Sequence, residues 1–195
     1  MAYRTWIIDP SHSTIEFSTK HMMFTTVRGR FKEFEGVLHL DREDPDRSWC
    51  EVKVRAASLD TGAPDRDAHL RGPDFFDAEN YPDIEFRSKQ VMGAVPEEGA
   101  RFRVTGDLTI ANTVQEVVLD VMFQGRGQDP WGNERVGFTA STEIDRRDWG
   151  LKWNQALETG GVLVANKVRI EIDVQAVLQA AEEALRALAE TWSEY

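Results

Sequence analysis

Residues 101–110 read RFRVTGDLTI, and the order of their side chains decides the fold class. Phe102, Val104, Gly106, Leu108 and Ile110 fall on one side, while Arg101, Arg103 and Asp107 fall on the other. A period of two held over ten residues describes a strand with one face buried and one solvated. An amphipathic helix would instead repeat its apolar residues three and four apart.

The same period continues outward in both directions. Toward the C-terminus, Val117, Leu119, Val121 and Phe123 align, then Phe138, Ala140, Thr142 and Ile144. After them Val168, Ile170, Ile172 and Val174 alternate with Lys167, Arg169, Glu171 and Asp173. Toward the N-terminus, Cys50, Val52 and Val54 alternate with Glu51, Lys53 and Arg55, and DIEFRS (83–88) reads as a short strand. Phe34, Gly36, Leu38 and Leu40 form another set, and Val27, Gly29 and Phe31 precede them. Phe31 and Phe34 are three apart, so the parity changes there, and a β-bulge is expected near Lys32 and Glu33. With a piece around Trp6–Ile8, about eight or nine strands result. No strand–helix–strand rhythm appears. The expectation is an all-β protein, an antiparallel sheet closed into a barrel or folded into a sandwich, in one domain.

Two segments leave the pattern. Residues 61–73, TGAPDRDAHLRGP, predict a short helix begun near Pro64 and stopped by Gly72–Pro73. Residues 177–195 predict an amphipathic helix with Val177, Ala181, Ala184, Leu185, Leu188 and Trp192 in one stripe. The division is thus a barrel over 1–176 and a C-terminal helix over 177–195. That helix is expected to pack on the barrel wall, with a homodimer interface as the alternative.

Composition narrows the function. The 195 residues carry 34 acidic and 23 basic side chains, a formal net charge of -11, which disfavours nucleic acid and anionic surfaces as default partners. The single cysteine, Cys50, permits no intramolecular disulfide and reads as a small buried hydrophobe. The first residues carry no charged start leading into an apolar run, and no segment approaches a membrane span, so a cytoplasmic protein without a transmembrane segment is expected. Nucleophile elbow, P-loop and dinucleotide fingerprints are missing.

The stretch 14–21, TIEFSTKH, sets a puzzle: Ile15, Phe17 and Thr19 share their face with His21. With the preceding Asp-x-x-His-Ser at 9–13, this opening resembles that of the YceI-like proteins. Residues 65–88, DRDAHLRGPDFFDAENYPDIEFRS, are similar to that family's most recognisable internal signature. GDLTI (106–110) and VGFTASTEIDRRDWGLKWN (136–154) resemble its later strands and its Arg-x-x-Trp/Phe-Gly turn. Asn112 stands where the family more often has glycine, and asparagine tolerates the left-handed conformation that turn needs. The resemblance covers roughly residues 6–175. It implies a lipocalin-like barrel and non-catalytic binding of a long isoprenoid lipid, a polyprenyl phosphate or an isoprenoid quinone, for carriage, storage or sensing. No cofactor beyond that bound lipid is implied.

Candidate ligand-binding residues follow from both readings. Phe17, Phe31, Phe34, Phe102, Phe123 and Phe138 lie on the inferred inward faces, where they either fill the barrel or line a cavity. His21 is a candidate for hydrogen bonding to a quinone or phosphate oxygen, or for bonding to a backbone carbonyl at the rim. Arg28 and Arg30 face outward by alternation, yet a bulge at 32–33 would allow them near a headgroup. Alternative functions are a metal-assisted enzyme using His12, His21 and His69, and a filled barrel serving as an interaction module. Against the first, only Asp65 and His69 could converge on the short helix, and two ligands do not make a zinc site. Phe75 and Phe76 read as a plug for one barrel end, and Trp149 and Trp153 as a cover over the core. A forty-carbon tail would gain on the order of 30 kcal/mol gross from burial at about 0.8 kcal/mol per methylene. Ordering costs offset much of that gain, so the tail sets affinity and polar groups tune headgroup choice.

Overall fold

The computed structural model describes residues 3–180. Its strands are β1 (Tyr3–Ile8), β2 (Thr14–His21), β3 (Thr25–Phe31), β4 (Phe34–Asp41), β5 (Trp49–Arg55) and β6 (Leu59–Asp60), followed by helix α1 (Pro64–Arg71). The remainder is β7 (Asp83–Met92), β8 (Arg101–Ile110), β9 (Thr113–Gln128), β10 (Glu134–Asp145) and β11 (Lys167–Leu178). Eight strands, in the order β1-β4-β5-β7-β8-β9-β10-β11, close into an antiparallel barrel when β11 pairs back to β1.

The closure is divided between two strands. The end of β11 meets β1 in the register Trp6↔Leu178 and Ile8↔Ala176. Its earlier residues meet β2, with Thr14↔Asp173 and Ser18↔Arg169. β2 then carries β3, and β3 carries β6, outside the eight-stranded circuit. The switch from β1 to β2 happens at Asp9–Ser13, a 3-10 turn whose N-cap Asp9 accepts the Ser11 N–H at 3.0 Å. Arg135 ties this turn down by donating to Asp9 (2.8 Å) and, through its other side, to Asp129 (2.8 Å) in the β9–β10 connection.

That network makes stability sensitive to acid. Hydrogen bonds from Ser11 and Arg135 hold the Asp9 carboxyl well below the usual carboxylate range, and Arg135 does the same for Asp129. Both folded-state values lie below the unfolded one of 3.8, so their contribution is complete above that pH and is lost as pH falls beneath it. The melting temperature is therefore expected to fall below pH 3.8. Arg135→Met should lower it at neutral pH and flatten that acid slope, which thermal unfolding between pH 2 and 7 will measure.

Tight turns follow local chemistry. Ala111 and Asn112 both take positive φ, 47° and 64°, and join β8 to β9 in the two-residue connection Ile110↔Thr113. Gly150, at φ 81°, ends the 3-10 turn Arg146–Trp149 in the left-handed conformation.

Two expectations need correction. No bulge occupies Lys32–Glu33. The chain ends β3 at Phe31 and starts β4 at Phe34, and the two strands pair with different neighbours. The register shifts lie instead between Ser88 and Gln90 and at Gly137–Phe138. Finally, Val177 and Leu178 belong to β11, so the barrel passes residue 176 and no helix begins at 177. The rest of that expected helix, residues 181–195, lies outside the described residues.

Candidate ligand-binding site

Alternation carries one face of each barrel strand inward, and those faces do not meet. They enclose a cavity of about 410 Å³ lined almost wholly by carbon. This is the size of a small-molecule site rather than of a packing defect. Along β8 the lining residues are Phe102, Val104, Leu108 and Ile110; along β9 they are Val117, Leu119, Val121 and Phe123.

The two ends differ. One is closed by Phe75 and Phe76, from the segment after α1, and by Trp149 and Leu151; Phe75, Trp149 and Leu151 are buried. The Trp149 indole donates to the Leu108 carbonyl at 2.9 Å, fixing the plug to the wall. Arg146 holds the rest of the plug. Its guanidinium is buried and donates to the carbonyls of Ala165 (3.0 Å), Leu151 (2.6 Å) and Trp153 (2.9 Å). Burial pushes the Arg146 pKa down, but a guanidinium stays charged in a protein, and these carbonyls are what receive that charge.

The opposite end is a mouth. Arg4, Arg42, Val95, Pro96 and Arg126 reach the cavity there from β1, the β4–β5 loop, the β7–β8 loop and β9. Arg4 pairs with Glu134 through two contacts of 3.2 and 3.3 Å, and Arg126 approaches the same carboxylate at 3.7 Å. Hydrogen bonding from Arg4 is the main cause holding the Glu134 carboxyl below its ordinary value, with Arg126 and Arg42 adding to it.

Glycines shape the bore. The Phe17 ring lies over Gly29 of the neighbouring strand, so close that a Cβ at Gly29 would stand 2.4 Å from the ring. The Phe86 ring lies over Gly106 in the same way, at 2.5 Å. Both rings are thereby laid against the wall instead of projecting across the lumen.

All six phenylalanines singled out in the sequence, Phe17, Phe31, Phe34, Phe102, Phe123 and Phe138, line the cavity. Five of them fall into two groups, the second joined by Phe76 of the plug. Phe102 and Phe123 flank Phe138 toward the mouth, at 6.2 and 5.3 Å between ring centroids. Phe17, Phe31 and Phe76 meet near the plug, at 5.3 and 5.8 Å.

The polar candidates stand elsewhere. His21 does not line the cavity: the last lining residue of β2 is Thr19, and the His21 backbone bridges Val164, a lining residue of the segment that closes this end. The inward face of the strand thus outlasts the lumen, which answers the puzzle of a histidine at that position. Arg28 and Arg30 are exposed, as strict alternation about the buried Gly29 requires, and they lie away from the lining. With no bulge at 32–33, nothing turns them inward.

The other two candidate histidines are held locally. His12 Nδ1 lies 2.8 Å from Asp9 Oδ2, and His69 Nε2 lies 2.9 Å from Asp74 Oδ2 with its ring edge-on to Trp153. Among the described residues, no group of three or more His, Cys, Asp or Glu side chains is placed to hold a metal ion. Cys50 lines the cavity, and burial raises its thiol to about 11, so it is a wall residue rather than a nucleophile. Sequence reasoning missed the mouth arginines, because a charge at a strand end carries no periodicity. It also missed Phe86, because DIEFRS is only the first part of a ten-residue strand.

Known proteins share this architecture. A solved YceI protein of Campylobacter jejuni superposes with a TM-score of 0.70 at 28% identity, covering 83% of this chain and 90% of its own. A polyisoprenoid binding domain from Saccharophagus degradans has the same fold at 13% identity, with a TM-score of 0.68 over 91% of this chain and 100% of that one. A UPF0312 protein of Photorhabdus laumondii is 38% identical over 145 residues, 74% of this chain and 73% of that protein. The YceI-like domain matches residues 6–176, from the first barrel strand to the last, and the chain therefore belongs to the YceI-like domain family.

Proposed function

We propose that this protein binds one long apolar lipid of isoprenoid type, without catalysis, as a carrier, store or sensor. The observation that carries the reading is the cavity within the barrel, about 410 Å³, walled by carbon and closed at one end. The tail lies among the phenylalanines, and the head stands at the mouth beside Arg4, Arg42 and Arg126. Arginine suits a phosphate or pyrophosphate through paired N–H donors, and it can donate to a quinone oxygen as well. The kinship with a polyisoprenoid binding domain supports the choice of tail. A metal-assisted enzyme built on His12, His21 and His69 has no support in the geometry: the His12 and His69 rings each sit against a neighbouring carboxylate, and the described residues bring no three such side chains together. The expected result of organic extraction of purified protein is a polyisoprenoid or similar long-chain lipid in near-equimolar amount. Extracts containing only short polar molecules would overturn the reading.

A further inference from the structure

The β2–β3 hairpin ends in a tip that the lumen does not use. Met22, Met23 and Phe24 follow one another there with relative exposures of 39%, 67% and 80%. Val162, from the adjacent loop, is exposed beside them. Three consecutive large apolar side chains in water are a feature that folding alone disfavours. The tip is held by the Met22 N–H to the Leu163 carbonyl at 2.9 Å, and Met23 Sδ packs so closely on Gly161 that a Cβ there would lie 2.5 Å away.

The backbone adds a second observation. Met22 and Met23 occupy the centre of a turn closed by the Phe24 N–H and the His21 carbonyl at 3.0 Å, and both have positive φ, 49° and 64°. These are the φ signs of a type I′ turn, which favours Asn-Gly and strains side chains of methionine size. The chain thus places exposed apolar side chains where turn chemistry asks for small polar ones.

Charge supplies the third. The protein is strongly acidic, yet between Glu16 and Glu33 the charged side chains are Lys20, Arg28, Arg30 and Lys32, with no acid among them. Lys32 pairs with Asp60, and the neighbouring Lys167 and Arg169 pair with Glu143 and Glu171. Among the described residues, Lys20 and Arg28 make no ion pair, and both point outward on the strands just behind the tip.

We propose that this hairpin docks the protein on an anionic lipid surface, inserting Met22, Met23 and Phe24 among the headgroups while Lys20 and Arg28 meet lipid phosphates. Apolar insertion backed by basic residues is the pattern of interfacial membrane binding. The tip lies beyond the plugged end, so the docked barrel holds its mouth away from the bilayer. The docking is independent of what the cavity contains.

The test is co-sedimentation of the full chain with vesicles of phosphatidylcholine alone or mixed with phosphatidylglycerol. Wild-type protein is expected to bind the mixed vesicles and to be released by salt. The double substitution Met22→Asn with Met23→Gly supplies the residues the turn prefers, so it should fold with an equal or higher melting temperature. Its vesicle binding should fall by roughly ten- to hundredfold, the scale of one or two lost apolar side chains. Lys20→Glu with Arg28→Glu should abolish the preference for phosphatidylglycerol, at roughly fivefold for each basic charge removed. Failure of the wild type to bind either vesicle, or unchanged binding by the well-folded Asn-Gly variant, would overturn the proposal. So would a wild-type dimer that the Asn-Gly variant converts to monomer without any vesicle binding, which would make the tip a contact between copies.

Discussion

Arg146→Ala is expected to destabilise the protein by roughly 4–6 kcal/mol, two or three charge-assisted bonds at about 1.5–3 kcal/mol each. A domain's whole stability is about 5–15 kcal/mol, so much of the variant population should be unfolded near 37 °C. The reason is local. Three carbonyls, the buried one of Leu151 and the part-buried ones of Trp153 and Ala165, take hydrogen bonds from this one guanidinium. Without it the segment that closes the barrel beside Trp149 loses its anchor, and water gains the plug end. Arg146→Lys should recover only part of the loss, because an ammonium cannot span three acceptors arranged around a planar fork. Denaturant unfolding measures both variants; a loss below about 1 kcal/mol for the alanine form would remove this anchoring role.

Gly29→Ala is expected to empty the cavity while leaving the barrel standing. The nearest atoms to the added methyl are all of the Phe17 ring, at 2.4–2.9 Å, and that ring can swing off the wall into the lumen. The space it takes is space the lipid tail would use. Overpacking of this kind costs about 1–3 kcal/mol, which at the binding site is roughly a five- to hundredfold loss of affinity. Gly106→Ala provides the contrast. Its methyl would meet the Phe86 ring and also the Arg87 carbonyl at 2.6 Å, and backbone cannot rotate away. Gly106→Ala should therefore lower the melting temperature, whereas Gly29→Ala should chiefly lower the yield of extracted lipid. Equal lipid yields from Gly29→Ala and wild type would show that the tail does not reach Phe17.

The sequence made the walls of this site legible and left its ends obscure. Alternation depends only on side-chain order, so Phe102 to Ile110, Val117 to Phe123 and Val168 to Val174 announced their inward faces without any tertiary information. The same rule put Arg28 and Arg30 outside. Where the chain stops lining the lumen is a different matter, because it depends on what covers the end. His21 follows Phe17 and Thr19 in perfect parity, and only the position of the Phe75–Trp149 plug shows that it stands past the cavity. The break between Phe31 and Phe34 was visible as a change of parity, but parity cannot distinguish a bulge from two strands with different partners. The mouth arginines come from three separated segments, and only barrel closure brings Arg4 and Arg126 to one Glu134.

Native mass spectrometry of the protein purified under non-denaturing conditions tests the central claim most directly. The expected spectrum contains a species heavier than the chain by one hydrophobic passenger of several hundred daltons. That increment should vanish on denaturation and return when the refolded protein is offered a polyprenyl lipid. A chain that shows its bare mass in both conditions, before and after exposure to the lipid, would contradict the assignment of the lumen as a lipid site.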